Sequence, residues 1–429
     1  METKSIQAQS VATPVYILRG HNSPIHALHI YNQSLCLISG DANGWIVVWD
    51  LVTKRPMAAW KAHAGAVLEV KGFKLGSGMT EIYTHGRDHK LCVWKIRVED
   101  ESFLEKTLPV DAKEDGQESM TQPWLLHSLP VNALNFCAFS MTFLNSDGLP
   151  GLPTQEKKPE ATLFAVPNAL DSGGIDIFHL PCERRISTIA SDASTKTGML
   201  MAVNLFVAPA GEIYVASAYE DGHVMVFHHR RALDFTAFGR ENIAKNPLKW
   251  DRLYACRPHT QPVLSLDFSP SLEYFISSSA DALLVKHPIP SPGQAGYKEE
   301  SPLKVVNTKH SGQQGLRIRS DSKVFATAGW DSRTRVYSSK TMKELAVLKW
   351  HKDGCYTVTF GNILNTSSTS PSTNADPANQ ISQDGNENPV PERDYSLATV
   401  QEQRNLKTQQ THWLAAGSKD GKISLWDIY

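Results

Sequence analysis

The sequence predicts an all-β chain: a radial array of seven units, each of about four short strands, closed on itself where its two ends meet. Three observations carry this reading. A strand-turn-strand phrase recurs along the chain, no stretch of useful length has helical periodicity, and the last strand needs a partner. Residues 412–429, HWLAAGSKDGKISLWDIY, read as two strands. Trp413 to Gly417 is an apolar run, Lys419-Asp420-Gly421 is turn chemistry, and Ile423, Leu425 and Asp427 alternate with Ser424 and Trp426 at period two. A bare edge there would show unpaired backbone N–H and C=O groups, which folded proteins cover. Near the start, PVYILRGH (14–21) alternates like a strand and has no earlier strand to join. Residues 15–19 are therefore expected to complete the last sheet, burying Val15 and Ile17.

Composition narrows the class. Lys and Arg number 43 against 44 Asp and Glu, so no bulk electrostatic term favours nucleic acid or a membrane surface. The first residues, METKSIQAQSVATP, lack the apolar core of a signal peptide. The most apolar long window, 199–219, contains Asn204, Pro209, Gly211 and Glu212, which fits two strands around a PAGE turn better than a membrane span. Cys36, Cys92, Cys137, Cys182, Cys256 and Cys355 fall singly, with no CxxC pair, as reduced and mostly buried thiols do.

The recurring phrase can be followed in order. In the first unit (GHNSPIHALHI to NGWIVVWD), His21 lies four residues before Ile25, and Ser39, Asn43 and Trp49 follow. The second repeats these offsets with His63, Val67, Thr84, Asp88 and Trp94. The third starts at LLHSLPVNALNF, with His127 and Val131, and puts Phe178 in the Trp position. The fourth lacks the His but keeps Ser217, Asp221 and Phe227. His259, Val263, Ser277 and Asp281 mark the fifth, with His287 in the Trp slot. His310, Thr327, Asp331 and Tyr337 mark the sixth, and His351, Ala416, Asp420 and Trp426 the seventh.

Gly20-His21 followed by Trp49-Asp50 resembles the WD-repeat signature. The resemblance implies a seven-bladed β-propeller in which His, Ser/Thr, Asp and Trp of one repeat form a hydrogen-bonded group. It also implies that each repeat starts with the outer strand of the preceding blade, as the pairing problem requires. Only the first two units keep all four positions, the first with Asn43 for Asp.

With strands called a to d from the inside outwards, residues 97–121, 229–249 and 288–302 fall between c and d, and 141–160 and 362–411 between a and b. Antiparallel strands reverse direction, so all this extra length leaves from one face, and the other keeps short b–c turns and d–a links. Residues 1–14 read as a flexible tail and 15–429 as one domain. The 362–411 segment, rich in Ser, Thr, Asn, Gln and Pro, is expected to be disordered. Residues 99–118 are acidic, a solvated loop or a docking site for a basic partner.

Sets such as His259, Ser277 and Asp281 contain the residue types of a hydrolytic triad, but they recur unit after unit whereas a catalytic set is needed once. Gly76-Ser77-Gly78 has no following helix and reads as a tight a–b turn, not a phosphate loop. His228-His229-Arg230-Arg231 reads as a strand end running into a loop. Trp330-Asp331-Ser332-Arg333 resembles the WDxR box of ubiquitin-ligase substrate receptors, yet its register puts it in a b–c turn. Trp330, Arg87, Glu220 and Lys419 each precede a turn Asp and should line the short-looped rim, where Trp and Arg are typical binding anchors. No metal-ligand spacing, cofactor fingerprint or unique acid–base pair stands out, so an interaction scaffold is expected and an enzyme is not.

TPVYILRGH, GDANGWIVVWDL, HAGAVLEV, HGRDHKLCVWK and the closing AAGSKDGKISLWDIY resemble the fungal ASTRA-associated protein 1 family across most of the chain. The resemblance implies a nuclear scaffold in the ASTRA assembly, linked to chromatin remodelling and to maturation of PI3-kinase-like proteins. The implied partners are a PI3-kinase-like protein, RuvB-like ATPases and Tel-Tti cochaperones, with no cofactor and no direct contact to nucleic acid or membrane. One copy is expected within such a hetero-complex. The alternative is a chromatin reader that grips a histone or phosphopeptide tail on the short-looped face, which would need converging acidic or aromatic groups.

Overall fold

Among the described residues the period-two stretches become 28 strands in seven four-stranded antiparallel sheets, a seven-bladed β-propeller, in a computed structural model. It describes residues 12–76, 78–112, 121–133, 136–145, 150, 159–192, 195–229, 249–290, 301–363 and 397–428. Blade 1 comprises Ile25–Tyr31, Cys36–Asp41, Trp45–Asp50 and Arg55–Lys61, from strand a to strand d. Blade 2 is Val67–Leu75, Met79–Gly86, Lys90–Arg97 and Trp124–Pro130; blade 3 is Ser140–Leu144, Ala161–Pro167, Ile175–Leu180 and Arg184–Ile189. Blade 4 is Leu200–Val207, Ile213–Tyr219, Val224–His229 and Asp251–Cys256; blade 5 is Val263–Phe268, Tyr274–Ser279, Leu283–Pro288 and Lys304–Asn307. Blade 6 is Gln313–Ile318, Val324–Gly329, Arg333–Ser338 and Glu344–Lys349. Blade 7 takes strands a to c from Cys355–Phe360, Trp413–Ser418 and Lys422–Asp427, and strand d from Tyr16–Arg19.

That last pairing closes the ring. Tyr16 stands opposite Leu425, Ile17 opposite Ser424, Leu18 opposite Ile423 and Arg19 opposite Lys422, and the Val15 N–H donates to the Leu425 carbonyl at 2.7 Å. The buried residue is not the one expected. Val15 is 56% exposed and Ile17 half-buried, whereas Leu18 is 1% exposed and packs with Trp49, Trp413, Ile423 and Leu425 across the blade 7–blade 1 seam. Period two decides this: once Leu18 faces blade 1, Val15 and Ile17 face the other way. At the seam between blades 2 and 3 the filling is aromatic, with Phe73 edge-on to Phe143 at 4.6 Å between centroids and Phe139 edge-on to Phe164 at 5.9 Å.

The hydrogen-bonded groups hold the d–a links to the sheets. In blade 2 the relay matches the expected residues. His63 Nδ1 lies 2.9 Å from Asp88 Oδ1, His63 Nε2 lies 2.8 Å from Thr84 Oγ1, and the Trp94 indole N–H donates to the same hydroxyl at 2.9 Å. Blade 5 joins His259 to Asp281 and Ser277, with His287 Nε2 2.8 Å from Ser277 Oγ and the Tyr254 hydroxyl 2.9 Å from His287 Nδ1.

Four other blades correct the sequence reading. In blade 1, Ser39 and Trp49 act as expected, but Asp41, not Asn43, meets His21 Nδ1, at 2.8 Å, and accepts the Asn43 and Trp45 backbone N–H groups. Asp41 occupies the place that Gly86 holds in blade 2, where a Cβ would come within 2.4 Å of the His63 ring, so the carboxylate reaches the imidazole from two residues earlier. In blade 6, Gln313 Oε1 accepts the Thr327 hydroxyl at 2.7 Å and the Arg335 guanidinium takes Asp331. His310 is left 3.9 Å from Asp331 and half exposed. In blade 7 the hydroxyl comes from Ser424, the cross-strand partner of Ala416: it lies 2.9 Å from His351 Nε2 and accepts the Trp426 indole N–H, with Asp420 3.5 Å from His351 Nδ1. In blade 3, His127 does not begin the repeat. It sits on strand d of blade 2, 2.6 Å from Glu183 Oε1, and strand a starts only at Ser140.

The long connections leave between c and d in blades 2, 4 and 5 and between a and b in blades 3 and 7. Strand a of blade 3 takes Met141 to Leu144 out of the expected 141–160 insertion. Within 362–411, Leu397–Gln410 is an α-helix, which its Leu, Ala, Gln, Glu and Lys content favours. Residues 364–396, the core of the expected disordered stretch, lie outside the described residues, as do 1–11. The insertion of blade 2 does not stay on its own face. Glu105 takes the Ala59 N–H on the outer edge of blade 1, Leu104 is buried beside Trp60, and Leu108 packs over Gly20 and Trp49 at the ring-closing seam. Gly76 and Gly78 make the a–b turn of blade 2, both at positive φ. All six cysteines are free, and five are buried. Among the described residues no helix is long and apolar enough to cross a membrane.

Candidate functional site

In six blades the pairing of strands a and b slips at its first residues, leaving a bulge: His26, Leu68, Met201, Leu264, Gln314 and Tyr356 are the extra residues. A bulge re-aims its side chain. Here all six line the central channel, and Phe136, from the link into blade 3, takes the corresponding place there. The upper end widens into a cavity of about 610 Å³ on the short-looped face, which adds Trp330, Lys352, Asp353 and Lys419 to its lining.

Trp330 is held as a platform. Its N–H donates to the Gly312 carbonyl at 3.0 Å and its indole N–H to Gln314 Oε1 at 2.8 Å. The ring lies so close to Gly312 that a Cβ there would come within 2.1 Å of Cε3, and Gly312 has φ +71°, so this link position requires glycine. Even so, Trp330 is 49% exposed. Tyr356 stacks on His26 with ring centroids 5.3 Å apart, and the Arg87 guanidinium lies over the Phe136 ring, 4.5 Å from its centroid. Burial lowers the His26 pKa, with Asp41 opposing and Arg87 reinforcing the shift, which favours the neutral ring.

Of the four rim residues read from the sequence, Trp330 and Lys419 line the cavity and Arg87 reaches it through Phe136. Glu220 does not line it: its carboxylate accepts the Met199 N–H at 3.2 Å, back toward the link into blade 4. Among the described residues, the Lys352 and Lys419 amines have no hydrogen-bond or ion-pair partner, so the rim carries free positive charge opposed only by Asp353 within the cavity lining.

Below the mouth the channel narrows to a polar plug. The Arg317 guanidinium donates to Glu69 Oε2 at 2.6 Å, Lys71 lies 3.9 Å from the other oxygen, and Asp267 accepts the Ile318 N–H at 2.7 Å. Burial drives the His29 pKa well down, and the Lys71 and Arg317 charges push the same way, so a neutral imidazole accepts the Gly72 N–H at 3.0 Å.

A model of the ASTRA-associated protein 1 family matches residues 14–426, every blade of this ring. The chain belongs to the ASTRA-associated protein 1 family. It is 74% identical over 440 residues to a Penicillium rubens protein of that name, covering 100% of both chains. It is also 58% identical over 438 residues to one from Aspergillus flavus, covering 99% of each. Across a wider distance it is 32% identical over 379 residues to the ASTRA-associated protein 1 of Schizosaccharomyces pombe, covering 82% of this chain and 94% of that one. In this family member the sequence reading put Trp330 and Lys419 where the cavity opens, misplaced Glu220, and missed the bulge residues. A signal was present. His26, Leu68, Leu264 and Tyr356 each lie five positions after the link His of their blade, next to the β-branched or Cys residue that starts strand a.

Proposed function

We propose that this chain is a non-enzymatic scaffold subunit of the nuclear ASTRA assembly and that its short-looped face carries the main contact. In this reading it serves chromatin remodelling and the maturation of PI3-kinase-like proteins, beside RuvB-like ATPases and Tel-Tti cochaperones. The observation that carries it is the family match over 14–426 together with a central channel lined by side chains of every blade, which opens into the mouth on the short-looped face. The His–hydroxyl–Asp sets support a structural role: Ser39, Thr84 and Ser277 are each 0% exposed, sealed under an indole or imidazole, where no substrate can reach them. A histone tail is a poor fit to the mouth, because Arg87, Lys352 and Lys419 would repel its basic side chains.

Affinity purification of the tagged protein with mass spectrometry tests the reading. The expected result is co-purification of a PI3-kinase-like protein with its cochaperones and RuvB-like ATPases; histones without that set would overturn it. Trp330→Ala combined with Arg87→Ala should lower partner recovery without unfolding the chain, and full recovery would move the contact off this face.

A further inference from the structure

We propose that the mouth binds a short acidic segment of a partner protein, with one bulky apolar side chain in the cavity beside Trp330 and carboxylates on Lys352 and Lys419. This deepens the scaffold reading and rests on it for the existence of a partner. Three features lead to it. First, the cavity floor is made of bulge residues, Met201, Leu264 and Tyr356 among them, which give an apolar seat; its size of about 610 Å³ suits side chains and not a folded domain. Second, Trp330 is pinned at the seat's edge by two hydrogen bonds and by contact with Gly312, yet half its surface is open, so binding need not order it. Third, among the described residues the Lys352 and Lys419 amines have no ion-pair partner and only Asp353 in the cavity lining opposes them, so the rim calls for negative charge.

The plug fixes the pose. Glu69 and Arg317 come from blades on opposite sides of the ring, so their 2.6 Å contact crosses the channel. A bound segment therefore lies across the mouth from Lys352 and Lys419 toward Arg87 and does not thread the hole. Neither plug charge is left over to draw a ligand inward, since Lys71 and Arg317 stand against Glu69 and Asp267. Recognition is thus confined to the rim and the seat.

Fluorescence anisotropy on the full chain tests this with three labelled probes: a short Asp/Glu peptide around a central Leu-Phe pair, the same peptide with Ser-Ser at its centre, and the first peptide with Lys for every acid. The acidic Leu-Phe probe should bind at least about tenfold tighter than either control, and less tightly as salt rises. Trp330→Ala should weaken it about thirtyfold, as loss of a central anchor does, with an unchanged melting temperature. Lys352→Glu with Lys419→Glu should switch preference to the Lys probe. Equal binding of all three probes, no binding of any, or unchanged affinity in folded Trp330→Ala would overturn the proposal. So would tighter binding after residues 113–120 are replaced by Gly and Ser, which would make that acidic segment of the chain itself the occupant. Failure here is separable from failure of the scaffold reading: a chain that binds no probe but still recovers kinase and cochaperones refutes only the mouth, and a chain that binds the probe without recovering them refutes only the assembly.

Discussion

Removing the ring-closing strand is the perturbation whose cost the structure sizes best. Deletion of residues 1–19 removes four cross-strand pairs to Lys422–Asp427 and the bond from Val15 to Leu425. Ladder bonds contribute roughly 0.5 to 1.5 kcal/mol net each. It also removes Leu18, and emptying a buried Leu site costs about 2 to 5 kcal/mol. Ile423 and Leu425, both 0% exposed, lose their cover as well. The total is comparable with the net stability of a typical domain, about 5 to 15 kcal/mol, so the deleted chain should open and come out insoluble. Point variants grade the argument. Leu18→Ala should lower stability by about 3 kcal/mol, whereas Tyr16→Ala, at a side chain 45% exposed, and Val15→Ala should each cost less than about 1 kcal/mol. Urea unfolding followed by tryptophan fluorescence reads all three, because Trp49 and Trp413 share the Leu18 cluster. An unchanged melting temperature on deletion, or Tyr16→Ala costing more than Leu18→Ala, would refute the reasoning.

Three further predictions use the same structure. Asp41→Ala should destabilise blade 1 by about 2 to 3 kcal/mol, since it strips a buried His21 and two turn amides of their acceptor; Asn43→Ala should cost less than about 1 kcal/mol, and the reverse order in thermal melts would count against the placement of the carboxylate. Burial alone would raise the Asp420 carboxyl, but the His351 ring, the Lys422 N–H and their charges hold it down to about 2, so its contribution, about 1 kcal/mol once solvent screening is allowed for, is whole above the unfolded-state pKa near 4 and is lost as pH falls toward 2. Asp420→Asn should therefore cost stability at neutral pH and flatten the acid limb of the stability curve, and an unchanged limb would exclude it. Leu108→Ala, which uncovers Gly20 and Trp49, should cost about 1 to 2 kcal/mol and expose the closing strand to hydrogen exchange before the rest of the ring.

Strand alternation and the repeat offsets carry far in this sequence because a propeller is built from local hairpins: the pairing of Ser39 with Val47 and of Thr84 with Cys92 follows from turn chemistry within a few residues. What the sequence hides is chemistry that can come from more than one position. A buried hydroxyl under an indole is required, but Ser424 supplies it as well as a residue at position 416 would, because the two face each other across strands. A carboxylate to the link His is required, but Asp41 reaches it from two residues earlier than Asp88 does. The helix at Leu397–Gln410 was obscured by the Ser- and Pro-rich residues before it, since composition averages over a window. The mouth was only half legible: turn positions mark Trp330 and Lys419, whereas a bulge has no local signature, only, in four blades, a five-residue distance from the link His.

The mouth and the closing strand depend on the same seam between blades 7 and 1. The seat of the mouth draws His26 from blade 1, Phe136 from the link into blade 3, Leu264 from blade 5, Gln314 and Trp330 from blade 6, and Tyr356 and Lys419 from blade 7. The extremes, His26 and Lys419, are nearly four hundred residues apart in sequence, and what brings blades 7 and 1 together is the sheet that Tyr16–Arg19 completes and the Leu18 cluster behind it. The His26–Tyr356 stack bridges that same seam. Weakening the seam should therefore loosen the seat before it unfolds a blade. In Leu18→Ala, affinity for the acidic Leu-Phe probe should fall although no residue of the mouth has changed, and it should fall further with temperature than in the native chain. A Leu18→Ala protein that loses stability yet keeps full affinity up to its melting temperature would show that the mouth is held by its local turns alone.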